Sequence, residues 1–445
     1  MNLALHYYDI FPKVFLVQRD TKITIRSLNL PFSGDYQLQI ISMAQGRPGC
    51  YPVHENIVCL DATTQANGTL CLSHTFPEEG QYIIRVLKAG EYVVELPVYA
   101  LGMDMEGRYP YRGDLHVHTN RSDGQQAPAI VAANYRKNGY DFMTISDHER
   151  YYPSLEAQDA YADVPIGLNI VEGEEVHLPD NDVHIVNFGG QYSVNGLLQN
   201  SWQNQQSNQR ALVDNPPQII TKEEYIRQVQ ELIPTLNIPS HIEPFAYASC
   251  IWIINHIRKA DGLSIFCHPY WKIGGPYQVP EAFTEYMTQS LPFDAFEVLG
   301  GELYYEQNGF QTARYYEDRA KGIHYPIVGS TDSHNSLPDH SNMALMASTF
   351  VFAKENSRKA LISAIKEEYT IAVDTISKEY RLVGDFRLMK YARFLLDEIT
   401  PLHDELCFEE GRLMKAYVTG DPEAAEGLRF MAGRMDRFYQ KYFYL

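Results

Sequence analysis

The sequence predicts a mixed α/β protein in which a β-rich domain comes first, an α/β domain follows, and a helical segment comes last. Apolar and polar residues alternate with a period of two over residues 1–105. Strand-like apolar runs alternate with helical stretches over 106–378, and apolar residues recur at helical spacing over 379–445. With 445 residues, 45% of them hydrophobic, the chain can build more than one core.

The first domain is predicted to be an antiparallel, Ig-like β-sandwich. Its strand-like runs lie at residues 14–17, 22–25, 36–41, 81–86 and 92–96. Turn residues separate these runs, and helical patterns are few. This domain carries no cluster of catalytic residue types. We therefore expect it to serve packing, or contact with a partner protein or a second copy of the chain.

The second domain contains seven apolar runs that predict strands. They lie at residues 114–118, 142–146, 168–172, 183–186, 263–267, 295–298 and 326–329. Helices are predicted around them at residues 129–137, 222–232, 245–259, 312–321 and 358–368. This alternation indicates a largely parallel sheet or a barrel. Residues 191–217 form a polar insertion rich in Gln, Asn and Ser, which predicts a surface loop rather than a lid.

Charge and composition narrow the classes of partner. The formal net charge of −19 repels phosphate backbones and anionic lipid, so extended nucleic acid and membrane surfaces are disfavoured and a small-molecule substrate is favoured. The first residues lack the basic and apolar regions of a secretory signal, and no apolar run is long enough to span a membrane. Six scattered cysteines lack the spacing of a zinc knuckle. We therefore expect a cytoplasmic protein with reduced thiols.

The strongest local motif follows the first apolar run of the second domain. It contains His116 and His118, with Asp123 a few residues later. Residues two apart in a strand point to the same face, so both imidazoles can reach one metal ion, and Asp123 can return to it from the loop. Imidazole together with carboxylate suits Zn, Fe or Mn.

The same residue types recur at the ends of later apolar runs. They are His148, Glu174, Glu175, His177, His184, His268, Asp332 and His334. Because the carboxyl ends of parallel strands meet at one edge or mouth, ligands that are remote in sequence become neighbours. Such a cluster lowers the pKa of bound water, which predicts a metal-dependent hydrolase.

These motifs resemble the polymerase and histidinol phosphatase (PHP) superfamily of metal-dependent hydrolases over residues 110 to 375. The resemblance implies a distorted seven-stranded β/α (TIM-like) barrel that holds two or three divalent metal ions. It implies metal ligands at His116, His118, Asp123, His148, Glu175, His184, His268, Asp332 and His334. The family's Gly-x-Glu pattern selects Glu175, and the adjacent Glu174 stays an alternative.

The segment 112–119 and the preceding β-domain resemble the branch of this superfamily that includes carbaryl hydrolase. Three functions follow as expectations. The first is a phosphoesterase acting on a small phosphorylated substrate, and the second is a hydrolase of carboxyl or carbamate esters. The third is a non-catalytic binding protein that metals stabilise.

Further candidates lie beside the ligand motifs. Arg121, Arg150 and Lys272 could neutralise a phosphate, and Asp147 or Tyr270 could relay a proton. Four of these are taken as catalytic candidates: Asp147, Arg121, Arg150 and Lys272.

Other polar residues near the motifs are given supporting roles. Glu297 is assigned to orienting a ligand or the substrate, and His177 to a position behind the ligands. His241 and Glu243 are interpreted as the entry to a helix.

Overall fold

The computed structural model describes most of the chain. The described residues are 3–45, 57–205, 212–213, 216–272, 274–300, 305–337, 346–375 and 381–445. They fall into two compact units. The first comprises Met1–Tyr109, Phe386–Leu406 and Gly433–Leu445, and the second comprises Pro110–Asp385 and Cys407–Ala432. The residues after 378 are therefore shared between the two units.

The helices and strands have the following bounds. The strands are β1 (Tyr8–Phe11), β2 (Val14–Leu16), β3 (Asp20–Ser27), β4 (Asp35–Ser42), β5 (Ile57–Thr63), β6 (Leu70–Thr75), β7 (Gly80–Lys88), β8 (Glu91–Leu101), β9 (Tyr109–Asp114), β10 (Phe142–Thr144), β11 (Asn169–Val171), β12 (Gly173–Leu178), β13 (Asn181–Phe188), β14 (Leu263–Phe266), β15 (Ala295–Leu299), β16 (Ile327–Gly329), β17 (Ala347–Ala353), β18 (Thr370–Asp374), β19 (Arg381–Gly384) and β20 (Phe443–Tyr444). The α-helices are α1 (Pro128–Lys137), α2 (Tyr152–Ala160), α3 (Lys222–Leu232), α4 (Pro244–Lys259), α5 (Glu281–Ser290), α6 (Tyr305–Ala320), α7 (Arg358–Lys366), α8 (Phe386–Glu398), α9 (Thr400–Val418), α10 (Ala424–Met431) and α11 (Arg434–Tyr442). None of the helices in these ranges is long and apolar enough to cross a lipid bilayer.

The first unit contains two β-sheets that share a hydrophobic core. One has the order β1-β3-β6, and the other has the order β20-β2-β8-β7-β4-β5. Alternate residues of β7 are buried, as the period-two pattern predicts. Ile23 and Leu70 of the smaller sheet pack in one cluster with Leu38 and Ile84 of the larger. The strand-like runs of residues 1–105 therefore form two sheet layers around one core.

The second unit is mixed α/β. Its sheets have the orders β11-β10-β9-β17-β18-β19 and β12-β13-β14-β15-β16. Strand β10 is parallel to β9 and β11, and β15 is parallel to β14 and β16. Strand β13 is antiparallel to both β12 and β14, and β18 is antiparallel to both β17 and β19. All seven apolar runs named from the sequence overlap or adjoin a strand of these sheets.

The TIM-like barrel expected from the family resemblance is not formed by the described strands, which make two open sheets. The neighbours of β9 in its sheet are β10 and β17, and not β16. The segments that follow β9 and β16 meet at the isolated bridge Val117↔Ser333, and Asp114 at the end of β9 accepts hydrogen bonds from Thr331. A second isolated bridge, His148↔Glu175, links the segment after β10 to β12. The two sheets therefore touch at their carboxyl ends without a continuous ladder.

The predicted helices correspond to α1, α3, α4, α6 and α7. Thr221 and Ser357 cap α3 and α7, because their hydroxyls accept hydrogen bonds from backbone N–H groups three residues on. Glu243 caps α4 in the same way, as its interpretation as a helix entry requires. Helices α2 and α5 were not predicted. Pro153 near the start of α2 resembles a helix breaker in sequence, but Pro is tolerated in the first turn.

The polar insertion at 191–217 is part buried and part exposed over its described residues: Trp202 and Leu212 are exposed, as a surface loop requires. Tyr192, Val194, Leu197 and Leu198 are buried in the largest core cluster of the second unit. These apolar residues lie between the Gln and Asn residues, and their burial anchors the segment. Residues 206–211 and 214–215 of the insertion lie outside the described residues.

Candidate metal centre

The predicted ligands lie together where strands of the second unit end. His116 and His118 follow β9, and His148 follows β10. Glu175 and His184 lie within β12 and β13, His268 follows β14, and Asp332 and His334 follow β16. Asp123 lies in the turn beyond His118. The structure brings all nine predicted ligands into one cluster.

Glu175 occupies the middle of this cluster and is fully buried. Its Oε2 atom lies 2.6 Å from His148 Nδ1, and its Oε1 atom lies 2.7 Å from His184 Nδ1 and 3.3 Å from His268 Nε2. Glu175 and the imidazoles on both of its oxygens would together supply ligands for divalent cations.

Asp332 and Asp123 extend the cluster on either side of His118. Asp332 Oδ1 lies 2.9 Å from His118 Nε2 and 3.3 Å from His116 Nε2. Asp123 Oδ2 lies 3.3 Å from the Nε2 atoms of both His148 and His334. The ligand atoms of His118, Asp123, His148 and His334 all lie within 4.8 Å of one another, and those of His116, His118 and Glu175 form a second such group.

Several ligand atoms at the base of the cluster are buried and make no hydrogen bond within the described structure. They are His116 Nε2, both ring nitrogens of His118, Glu175 Oε2, His184 Nδ1 and His268 Nδ1. Buried polar atoms are nearly always satisfied, and leaving one unsatisfied costs about 1–3 kcal/mol. Metal coordination would satisfy these atoms, so the residues present fit divalent cations.

The imidazoles of the cluster differ in their titration. Against the effect of burial, neighbouring carboxylates raise the pKa of His116 and His334, and raise the pKa of His148 to about 10. Burial lowers the pKa of His118 and of His184 to about 3, which leaves both imidazoles neutral and able to ligate. Burial opposes ionisation of Glu175 and Asp332, but the neighbouring imidazoles hold the pKa of each carboxyl below its ordinary value. Neutral imidazole and ionised carboxylate are the forms that bind Zn, Fe and Mn.

The rim of the cluster is open to solvent. The Asp123 side chain is 54% exposed, and the His148 side chain is 29% exposed. His116, His118 and Glu175 at the base are fully buried. The cluster is therefore open to solvent on the side of Asp123 and closed on the side of His116.

Asp147 holds the turn that carries Asp123. Its carboxylate accepts hydrogen bonds from the N–H and hydroxyl of Thr119 at 2.8 and 2.5 Å, and from the N–H and hydroxyl of Ser122. Burial raises the pKa of Asp147 to about 6 despite these bonds. Its oxygens are thus occupied by the turn, which favours a positioning role over the proton transfer predicted for it.

Asp114 joins the motifs that follow β9 and β16. It accepts hydrogen bonds from the backbone of His116, from the backbone and hydroxyl of Thr331 and from the hydroxyl of Tyr135. Thr331 directly precedes Asp332, so one buried carboxylate fixes the backbone beside two predicted ligands. Burial raises the pKa of Asp114 to about 7.

Glu297 orients His116, in agreement with the role predicted for it. Glu297 Oε2 lies 3.0 Å from His116 Nδ1, and Oε1 accepts a hydrogen bond of 3.3 Å from the backbone of His268. A carboxylate on Nδ1 turns Nε2 of His116 towards the cluster and makes it a stronger ligand. Glu297 therefore supports two predicted ligands from behind.

The choice between Glu174 and Glu175 follows from strand alternation. Glu174 points away from the cluster, where it accepts hydrogen bonds from Ser193, Asn195 and Asn187 at 2.6, 2.9 and 3.1 Å. Successive residues of β12 face opposite sides, so only Glu175 faces the imidazoles. Glu174 instead anchors the start of the polar insertion.

His177 is a closer neighbour of the ligands than its predicted supporting role implies. Its Nε2 atom lies 2.9 Å from His148 Nδ1 and 3.5 Å from Glu175 Oε2, and these three residues form a group able to hold a metal ion. His177 lies two residues after Glu175 on β12, so the period-two rule already places both side chains on one face.

Two of the three predicted phosphate-binding cations are ion-paired. Arg121 pairs with Glu156 at 2.6 Å, and Lys272 pairs with Glu306 at 2.8 Å. Arg150 instead lies over the ring of Trp202 at 5.1 Å, and its Nη1 approaches the backbone oxygen of His148 at 3.5 Å. The carboxylate partners of Arg121 and Lys272 were not foreseen from the sequence.

A pocket of about 400 Å³ adjoins the cluster through His177. Its wall combines polar side chains, which include Glu149, Asn181 and Lys222, with the apolar side chains of Leu178, Pro179 and Leu198. Lys222, which contributes the positive charge, lies 3.2 Å from Asp180. A pocket of this size holds a small organic molecule.

Comparisons with known proteins give structural neighbours only. No family model and no curated protein matches the sequence. A two-domain protein from Bacteroides vulgatus, containing a predicted PHP-like metal-dependent phosphoesterase, is 15% identical with a TM-score of 0.37; the match covers 60% of this chain and 65% of that one. A protein named as a metal-dependent phosphoesterase, from Bifidobacterium adolescentis, is 17% identical with a TM-score of 0.33, covering 52% and 90%. An amidohydrolase from Chromobacterium violaceum is 18% identical with a TM-score of 0.30, covering 52% and 89%.

These likenesses are low in both identity and TM-score. They therefore carry no inference about activity or substrate.

Proposed function

We propose that this protein is a metal-dependent hydrolase that uses two or three divalent ions, drawn from Zn, Fe and Mn, to cleave a phosphate ester of a small molecule. The observation that carries the proposal is the convergence of nine His, Asp and Glu side chains, several with buried atoms that make no hydrogen bond within the described structure. When bound, the ions would lower the pKa of water and polarise the oxygen of the scissile ester group.

The protein's own residues supply binding and orientation. Glu175 and Asp332 set the spacing of the imidazoles, and Glu297 holds His116 in its ligating orientation. Asp147 keeps the turn of Asp123 in place at the exposed rim. The pocket of about 400 Å³ beside His177 would receive the leaving group of the substrate.

The positive charge that bound metal ions would bring to the cluster favours phosphate as the reacting group. Its ligand atoms form overlapping groups, which could hold more than one cation side by side. Adjacent cations neutralise a phosphate and stabilise both the attacking and the leaving oxygen, so the site need not depend on arginine or lysine.

A second candidate is a hydrolase of carboxyl or carbamate esters. It is favoured by the ion pairs of Arg121 and Lys272, which occupy two of the cations predicted to recognise phosphate. An uncharged ester would place no demand on those cations. The same metal chemistry serves a carbonyl group.

Hydrolysis assays with matched leaving groups test the proposal. The full chain would be purified, loaded separately with Zn, Mn or Fe(II), and assayed on the p-nitrophenyl esters of phosphoric, acetic and carbamic acids, with metal content measured in parallel. We expect the phosphate ester to show the largest rate acceleration over its own uncatalysed hydrolysis. A larger acceleration for the acetyl or carbamoyl ester would favour the second candidate. If fully metallated protein hydrolysed none of these esters, the result would favour the third function expected from the sequence, a binding protein that metals stabilise.

Variants connect the activity to the cluster. Asp332→Asn removes a carboxylate that contacts two imidazoles, so both metal content and turnover should fall. Asp318→Asn is the matched control, because Asp318 is also buried and bonds the hydroxyl of Tyr325 outside the cluster. Equal loss of turnover in both variants would contradict the assignment of the site.

A further inference from the structure

A second, smaller pocket of the second unit is lined by three aromatic rings and three charged side chains. Its volume is about 280 Å³. The lining includes Tyr270, Tyr277, Glu281, Phe310, Arg314 and Glu317. The two tyrosines follow β14, and Glu281 begins α5. Phe310, Arg314 and Glu317 share one face of α6, because their spacing of four and then three residues matches the helical turn.

The three rings stand at steep angles to one another. The centroids of Tyr270 and Tyr277 are 5.4 Å apart with planes at 87°, and those of Tyr277 and Phe310 are 6.3 Å apart at 85°. Tyr270 and Phe310 are 5.8 Å apart at 61°. Tyr270 is 4% exposed and Phe310 is 43% exposed, so the rings run from the floor of the pocket to its rim. All three rings therefore line one small pocket.

The faces of such rings attract cations. A ring face carries partial negative charge, and a cation within about 6 Å of the centroid is stabilised. Lys272, outside the pocket lining, has its Nζ atom 5.4 Å from the centroid of Tyr277, so this ring already interacts with a cation of the chain. Glu281 and Glu317 also line the pocket, together with Arg314.

The polar groups around the rings bond mainly to one another. Arg314 donates to Glu281 and to the hydroxyl of Tyr270, and it lies 3.6 Å from Glu317. Glu317 also pairs with Lys321 at 2.9 Å. An ammonium group with N–H bonds would lose its hydrogen bonds to water on entering the pocket. The carboxylates that could replace those bonds already bind Arg314 and Lys321. A methylated ammonium group has few or no N–H bonds, so it loses less on entering.

We propose that this pocket binds a methylated ammonium group, such as the quaternary head of a small organic cation. The pocket volume suits a head group of this size rather than a large ligand. The binding site is distinct from the metal cluster, and its function does not depend on the hydrolase proposal.

Titration calorimetry on the full chain tests this. The probes are tetramethylammonium, choline, methylammonium and the neutral analogue of choline in which carbon replaces nitrogen. We expect tetramethylammonium and choline to bind, and the neutral analogue to bind about 5- to 30-fold more weakly because it lacks the attraction between charge and rings. Methylammonium should also bind more weakly than tetramethylammonium. Equal binding of choline and its neutral analogue, or binding of none of the probes, would overturn the proposal.

Two ring variants with a matched control locate the site. Tyr277→Leu and Phe310→Leu each keep apolar bulk but remove a π-face, and each should weaken choline binding about 5- to 30-fold. Tyr277→Phe should keep the affinity. Phe386→Leu is the control, because Phe386 is also exposed and lies beneath a lysine, but outside this pocket. Choline affinity that both leucine variants leave unchanged, in folded protein, would rule out the assignment.

Discussion

Replacing Glu297 by glutamine should weaken metal binding while leaving the fold intact. The buried carboxylate accepts from the backbone of His268 at 3.3 Å and contacts Nδ1 of His116 at 3.0 Å. Glutamine has the same shape but carries no charge, and its amide can also turn a donor towards Nδ1. Loss of such a partner behind a ligand costs about 10- to 100-fold in metal affinity. This corresponds to about 1.4–2.7 kcal/mol of binding free energy.

The assay is a competition titration of metal-free protein with a chromogenic chelator, using Zn and Mn separately. Asp318→Asn serves as the control for loss of a buried carboxylate, since Asp318 accepts from the hydroxyl of Tyr325 and not from a predicted ligand. Thermal unfolding of the metal-free variants measures any cost to the fold itself. Parental affinity in Glu297→Gln would refute the inference that this carboxylate orients His116. An equal loss of metal affinity in Asp318→Asn would show that the effect is not specific to Glu297.

Three further predictions concern stability. Chelation of bound metal should lower the melting temperature, because ligands at about 100 times their dissociation constant contribute about 2.7 kcal/mol; an unchanged melting temperature after complete chelation would contradict metal binding to the folded state. Arg136→Met should cost about 3–5 kcal/mol in urea unfolding, because it leaves Asp141 and Glu410 without their buried guanidinium partner; a cost near zero would disprove the importance of this network. Burial lowers the pKa of His256, so the unfolded chain protonates first and stability should fall as the pH drops below about 6.5; unfolding of His256→Gln at several pH values should show a weaker dependence, and an identical slope would contradict this.

The sequence predicts the cluster better than it predicts the sheets. His116 and His118 share a face because side chains alternate along an extended chain, and that rule is local. Bringing His116 near His268 or Asp332 requires only that strand ends meet, which holds in open sheets as well as in barrels. The division into two sheets depends on which strand each edge pairs with, and local periodicity carries no information about that choice.

The surroundings of the cluster could not be predicted from the sequence, because they depend on contacts between residues that are far apart in the chain. Arg121 and Lys272 look free in the sequence, but each pairs with a carboxylate more than thirty residues away. Residues 191–217 are mostly polar, but several of their apolar side chains are buried in the core. Asp147 has the chemistry of a proton relay, yet its oxygens receive bonds from Thr119 and Ser122. In each case, contacts with residues that are remote in sequence set the surroundings of the side chain.

The first unit draws its parts from both ends of the sequence, which constrains when it can fold. Strand β20 pairs in parallel with β2, and the buried ammonium of Lys13 lies 3.1 Å from Glu398. During synthesis, Glu398 and β20 of this unit therefore follow residues 110–385 of the second unit. We expect residues 1–105, produced alone, to expose the edge of β2 and to leave Lys13 without its carboxylate. The first unit is thus assembled from three stretches of sequence that the residues of the second unit separate.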